Sequence, residues 1–365
     1  MKKANLINLS NSFLAHFGAP TFHATIPEID VVLKDHKKVV VLLFDGMGQN
    51  IVRKHLHANS CIRKNYLTTI ESTFPPTTTA ATTAFLTALS PIETGWMAWA
   101  QYFESYKRNI ILFKGSDYNT SEQLIPHDLA WQLLPINHIF DIIKKHCPNT
   151  DVFDIKSYPI QEDGPKNIKD LNKRINDTLK KTNNCFAYFY FDSPDLEMHV
   201  NGIEHISVKQ QVRAINQLVM RVVKNNPDTL FFTIADHGHI NVKYLDICDH
   251  DDIYKLITKP ISFEKRTPCF FVDKKDHELF AQLFNKHYGQ HFSLFTKEEV
   301  LKMLLFGEGK VNPKAIEFIG DFIATSNDEY CIYASKEMVD LELLKGHHAG
   351  HTKEEMLIDV SVFNV

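Results

Sequence analysis

The chain has 365 residues, 44% hydrophobic and 23% charged, ordinary proportions for a folded globular protein and far from those of a disordered one. Its 40 Lys and Arg fall short of its 44 Asp and Glu, a formal net charge of -4 that lacks the broad basic field of a general nucleic-acid binder. The length suffices for one large core carrying a subordinate cap.

The opening Met1 to Ser10 has two early lysines, but its apolar stretch is short, broken by Asn and Ser, and has no small-residue cleavage pattern. No apolar run reaches the roughly 18 residues that a membrane span requires. The six cysteines, Cys61, Cys147, Cys185, Cys248, Cys269 and Cys331, form no CxxC pair, which speaks for reduced, mostly buried thiols rather than a disulfide framework or thiolate zinc site. A soluble, cytoplasmic protein is expected.

Val39 to Phe44 is a continuous, β-branched apolar run stopped by Asp45-Gly-Met-Gly48, the pattern of a strand buried on both faces of a parallel sheet. Residues 96 to 125, with Trp96, Trp99, Tyr102, Phe103 and Tyr106 among polar residues, read as a long loop near the sheet edge. Phe186 to Phe191 is a second apolar run, ending at Asp192-Ser-Pro-Asp195. A helix is expected from Ile206 to Asn226, where Val208, Val212, Ile215, Leu218, Val219 and Val222 recur at mostly three- and four-residue spacing. Thr229 to Ala235 is a third apolar run, ending at Asp236-His-Gly-His239. From about Ser262 to Ala334 the rhythm breaks into Phe- and Lys-rich helical segments such as His277 to His287 and Lys297 to Phe306. The expected division is a core of residues 1–261 and 335–365 with a cap of 262–334. Strand, helix and strand in succession predict an α/β fold with a mostly parallel central sheet, and open sheets of that kind place ligands at the carboxyl edge of their strands.

Each apolar run therefore delivers acidic or imidazole groups to one edge. The ligand candidates are Asp45, Asp195, His199, Asp236, His237 and His348. Carboxylate oxygen and imidazole nitrogen suit a pair of divalent ions, zinc in the first place, with manganese accepted by the same thiolate-free set. Asp195 and His199 stand one helical turn apart and can share an ion. Singly, each candidate has a plain structural explanation, since Asp-Gly is commonly a turn and Asp-xxx-His a surface pair.

In order and spacing, however, the motifs resemble the type I phosphodiesterase and nucleotide pyrophosphatase branch of the alkaline phosphatase superfamily. Asp45-Gly-Met-Gly48 resembles its first metal motif. Phe74-Pro-Pro-Thr-Thr-Thr-Ala80, followed by Phe85-Leu-Thr-Ala-Leu-Ser-Pro91, resembles its nucleophile segment, and Pro194-Asp195-xxx-His199 and Ala235-Asp-His-Gly238 its second and third metal motifs. His347-His348-Ala-Gly350, with Thr352 and Glu355, is similar to its terminal histidine motif. The resemblance implies an alkaline-phosphatase-like three-layer sandwich and two zinc ions, one held by Asp195, His199 and His348, the other by Asp45, Asp236, His237 and the nucleophile oxygen. It further implies hydrolysis of a small phosphate ester or nucleotide through a phosphothreonine intermediate.

Counting back without a gap from Thr87-Ala-Leu-Ser-Pro91 places the nucleophile on Thr78; Thr73, which precedes a Phe-Pro pair, is the alternative and needs a gap. These threonines also suit a helix start, and a helix N-terminus supports a phosphate. Three departures from the family pattern stand out. Ala81 occupies the place of a phosphate-contacting Asn, no Arg can be located for the extra oxygens of a monoester, and Ala349 replaces a usual Gly. The missing Arg leans towards diesters, and with Ala81 the phosphate contact must come from backbone, another side chain or water. Phosphonate hydrolysis or phosphomonoesterase activity on the same metals is the alternative, as is a catalytically idle metal-binding relative; no Cys lies in the CxPxR-like setting of a sulfatase. Trp99 and Tyr102 are candidates for stacking on a base, with packing under the loop as the competing role. His347, His351, His239 and Asp192 flank the ligand motifs, and are read as loop residues or supports. Cys248-Asp249-His250-Asp251-Asp252 is metal-like in composition, matches no motif of the family, and is read as a solvated turn. The sequence leaves the oligomeric state open.

Overall fold

The computed structural model describes residues 3–122, 129–338 and 343–365. A six-stranded sheet forms the centre, in the spatial order Tyr66–Glu71, Leu357–Phe363, Leu230–Ile234, Lys38–Phe44, Cys185–Phe191 and Asp151–Lys156. Lys38–Phe44 lies parallel to both neighbours and is buried at every position, as its unbroken apolar run requires. Leu357–Phe363 runs antiparallel to the strands on either side of it. The register opposes Phe44 to Phe191 and Leu43 to Ile234, so the chain leaves three adjacent strands at the same level of one edge.

Helices cover the sheet in two groups. Leu6–His16, Thr78–Thr87 and Ile139–His146 pack together, and Phe13 of the first sets its ring against Phe186 and Phe232 of the sheet. Gln49–His55, Cys61–Lys64, Ile168–Leu179 and Ile206–Asn225 form the other group. Ile206–Asn225 buries the six residues whose spacing predicted it, Val208, Val212, Ile215, Leu218, Val219 and Val222. The architecture is the mostly parallel α/β sandwich that the sequence led one to expect. Among the described residues, no helix is long and apolar enough to cross a membrane.

The stretch expected as a loop differs. Residues 100–117 contribute Ala100–Phe103, Arg108–Ile111 and Ser116–Asp117 to a second, seven-stranded sheet; positions 123 to 125 of that expectation lie outside the described residues. Its other strands are Ser262–Glu264, Thr267–Phe270, Phe322–Ser326 and Phe292–Thr296, joined to the first three where Phe263 pairs with Ala100. The sheet thus draws strands from both sides of residue 261. It encloses aromatic cores of its own, with Trp96, Phe103, Phe263 and Phe318 in one and Phe280, Phe284, Tyr288 and Phe292 in the other.

Candidate metal centre

Three strand ends and one late loop build the site. Asp45 follows Phe44 directly, and its N–H donates to the Phe191 carbonyl at 3.0 Å, which carries it one residue past the sheet edge. Gly46 then turns with φ +68, and a Cβ there would come within 3.0 Å of Asp195 Oδ1, so the turn needs a residue without a side chain. Asp195 opens the helix Asp195–Asn201 and His199 lies one turn on, with its Nε2 3.3 Å from Asp195 Oδ2. Asp236 and His237 follow the third strand; Asp236 Oδ1 accepts the N–H groups of Gly46 and His237, both at 3.0 Å. His348 follows the short strand Gly346–His347, which pairs with Ile240–Asn241 just beyond Asp236.

The six candidates converge. His237 Nε2 stands 3.5 Å from Asp45 Oδ1 and 3.4 Å from Asp236 Oδ2, and His348 Nε2 stands 3.9 Å from Asp195 Oδ1. Thr78, the first residue of its helix, places Oγ1 3.4 Å from Asp45 Oδ1 and 3.2 Å from His237 Nε2. Thr73 and Thr79 are buried, and their hydroxyls have no hydrogen-bond partner among the described residues.

Two features of this cluster fit divalent cations. The Nδ1 atoms of His199, His237 and His348 face the carbonyls of Gly346, Gly238 and Pro76 at 2.9, 3.0 and 3.0 Å. A carbonyl only accepts, so each Nδ1 carries a hydrogen, and a neutral ring in that tautomer turns its Nε2 lone pair to the site. Asp45 and Asp236 are also short of positive charge. Burial, then the charges of Asp236 and Asp195, push the Asp45 carboxyl well above the usual range, although the Tyr190 hydroxyl donates to it. Burial likewise raises Asp236 against the opposing pull of His237. At Asp195 burial acts upward, but the imidazoles of His199, His348 and His239 outweigh it and hold the group well below its ordinary value. Asp195 Oδ1 and Asp236 Oδ2 accept no hydrogen bond among the described residues, a costly state for buried carboxylate oxygens that a cation would relieve.

Asp45, Asp236 and His237 form one group whose ligand atoms lie within 4.8 Å of one another. Asp195 belongs to two more, one with His237 and His348 and one with His199 and His239. His239, read above as a flanking residue, is fully buried with Nε2 3.4 Å from Asp195 Oδ1. Its place directly after the Asp236-His-Gly238 turn was the available signal.

The second sheet supplies Glu264, which nothing in the sequence marked. Its Oε1 accepts the Trp99 N–H at 2.7 Å, its carboxylate also takes the Thr77 hydroxyl, and burial pushes its pKa up to about 7. Trp99 is half-buried, with its ring 6.3 Å from Phe113. Tyr102 is buried in the second sheet's core, its ring 5.4 Å from Phe271. The Glu264 carboxyl stabilises the fold when protonated. That contribution is complete below its ordinary value of 4.5 and is lost as pH rises through about 7. In metal-free protein, Glu264→Gln should therefore gain urea resistance relative to the parent between pH 5 and pH 8. A difference in midpoint that stays constant over that range would refute this account.

Ala349 adopts φ +78, the left-handed region in which glycine is at ease, so the usual Gly has a backbone reason and Ala349 carries a small strain in its place. Behind it, Glu355 and Arg266 are both fully buried and form a two-pronged ion pair, Nε to Oε1 at 2.6 Å and Nη2 to Oε2 at 2.8 Å.

A sheet edge with clustered carboxylates and imidazoles around a hydroxyl is an arrangement that can hold divalent metal ions. The match to known families is more specific. The chain belongs to the type I phosphodiesterase / nucleotide pyrophosphatase family, which it matches over residues 39–351. Among solved structures it is similar to murine ectonucleotide pyrophosphatase / phosphodiesterase 5, with a TM-score of 0.65 at 14% identity over 89% of this chain and 87% of that one. The inactive threonine-to-alanine variant of the murine protein in complex with AMP gives a TM-score of 0.62 at 14% identity over 89% and 88%. The human protein gives 0.63 at 13% over 89% and 87%. Identities this low speak to the fold alone. No curated protein matches the chain.

Proposed function

We propose that this chain hydrolyses phosphodiester or phosphoanhydride bonds of nucleotide-like substrates, with Thr78 as nucleophile. The observation that carries this reading is the Thr78 hydroxyl at the mouth of its helix, 3.2 Å from His237 Nε2 and 3.4 Å from Asp45 Oδ1. Asp195, His199 and His348 would hold one divalent ion, with His239 beside them, and Asp45, Asp236, His237 and Thr78 the other. When bound, two such ions, zinc in the first instance, lower the pKa of the hydroxyl and balance the charge of the phosphoryl group. The Thr78 oxygen forms a bond to phosphorus as the bond to the leaving alcohol or phosphate breaks, and water then cleaves the phosphothreonine. The first N–H groups of Thr78–Thr87 have no partner within the helix and would donate to the phosphate, a role that Ala81 cannot fill with its side chain. Glu264 ties Thr77, and with it the helix entry, to the second sheet. The AMP complex of the murine relative, and that protein's inactivity as a threonine-to-alanine variant, support a nucleotide and a threonine.

The test is turnover of bis-p-nitrophenyl phosphate beside p-nitrophenyl phosphate, before and after chelation and zinc return. The diester should be the faster substrate, activity should vanish with chelation, and zinc should restore it. Undiminished turnover after complete removal of metal, or a clear monoester preference, would overturn the reading.

A further inference from the structure

A second group of metal-type side chains lies away from the catalytic edge. His250 sits between the turn Ile247–Asp249 and the short helix Asp251–Tyr254, and Asp252 belongs to that helix. His287 comes from the last turn of His277–Tyr288, 35 residues beyond Asp252. One ligand atom from each of the three lies within 4.8 Å of the others, and His287 Nε2 is 3.1 Å from Asp252 Oδ2. The segment read as a solvated turn is thus half-buried at His250 and Asp252 and closed by an imidazole from another element.

The rings of His250 and His287 stack face to face, with centroids 3.9 Å apart and planes 19° apart. The stack holds the two imidazoles side by side, with one ring nitrogen of each within reach of Asp252.

We propose that His250, Asp252 and His287 form a separate site for a zinc-class divalent cation. Two imidazoles, borderline donors that calcium and magnesium seldom take, favour zinc, which also accepts the carboxylate, and three protein ligands leave a coordination position for water. The ion clips the helix His277–Tyr288 to the turn that continues Lys243–Asp246, the strand leading away from the catalytic loop. None of this rests on the catalytic reading.

Equilibrium dialysis of the whole chain against micromolar zinc, followed by elemental analysis, tests it. His287→Gln and Asp252→Asn, each checked for an unchanged circular dichroism spectrum, should each bind one equivalent of zinc less than the parent. The double variant should lose no more than either alone. Asp252 has a side chain 42% exposed, which makes its substitution the safer for folding. Zinc content equal to the parent in both variants, or additive losses in the double variant, would overturn the site.

Discussion

Thr78→Ala should lower turnover of a phosphodiester by about a thousandfold or more, the scale on which covalent catalysts fall when the nucleophile goes and the binding groups stay. A thousandfold is about 4 kcal/mol of transition-state stabilisation, more than loss of one neutral hydrogen bond accounts for. Thr73→Ala is the informative companion. Thr73 precedes Phe74-Pro75, but its hydroxyl is buried without a partner among the described residues, whereas that of Thr78 faces Asp45 and His237. Thr73→Ala should keep turnover within about threefold of the parent, the effect of a minor packing change and not of lost chemistry. Acid quenching during turnover of a phosphorus-labelled diester should trap label on the parent and on Thr73→Ala, and none on Thr78→Ala. Label retained by Thr78→Ala, or lost from Thr73→Ala, would move the nucleophile.

The cluster of carboxylates and imidazoles at the sheet edge was legible because it is written locally. Each of three apolar runs stops at an acidic residue, and the parallel register that buries those runs brings the stops to one level. Asp195 and His199 needed only helical spacing. The second sheet was illegible for the opposite reason. Its strands are two to five residues long, too short for a periodic pattern, and Ala100 finds its partner in Phe263 across most of the chain's middle. Glu264 and His287 share that difficulty. Each is a single polar residue whose environment is created by elements distant in sequence, so its type alone carried no message. His239 was a matter of direction: adjacency to Asp236-His-Gly238 was visible, but the turn that buries its ring beside Asp195 was not.

Arg266→Ala should cost about 3–5 kcal/mol of folding stability, because it strands Glu355 as an unpaired charge in the interior. Nothing at the surface shares the load, since both residues are fully buried. Arg266 also donates to the carbonyls of Tyr330 and Asp328 at 3.0 and 2.6 Å, while Glu355 accepts the Gly350 N–H at 2.7 Å and the Thr352 hydroxyl at 2.6 Å. Arg266→Lys should recover little, because an ammonium cannot reproduce the two-pronged contact and the carbonyl bonds together. Replacing both partners by apolar residues of similar volume should restore much of the loss, since the destabilisation comes from the orphaned carboxylate. Urea unfolding of the two single variants and the double variant measures this directly; a cost below about 1 kcal/mol for Arg266→Ala would mean that water reaches the pair. The consequence extends to the metal centre. Gly350 lies two residues after His348, and a Cβ on it would come within 2.5 Å of Arg266 Nη2, so the guanidinium packs directly beneath the histidine loop. Thr267, the next residue and the first of the strand Thr267–Phe270, donates its hydroxyl to the Ala349 carbonyl. The second sheet therefore sets the position of His348 through two adjacent residues, and the Arg266 variants that still fold should bind zinc more weakly at the catalytic edge while leaving zinc at His250 and His287 unchanged.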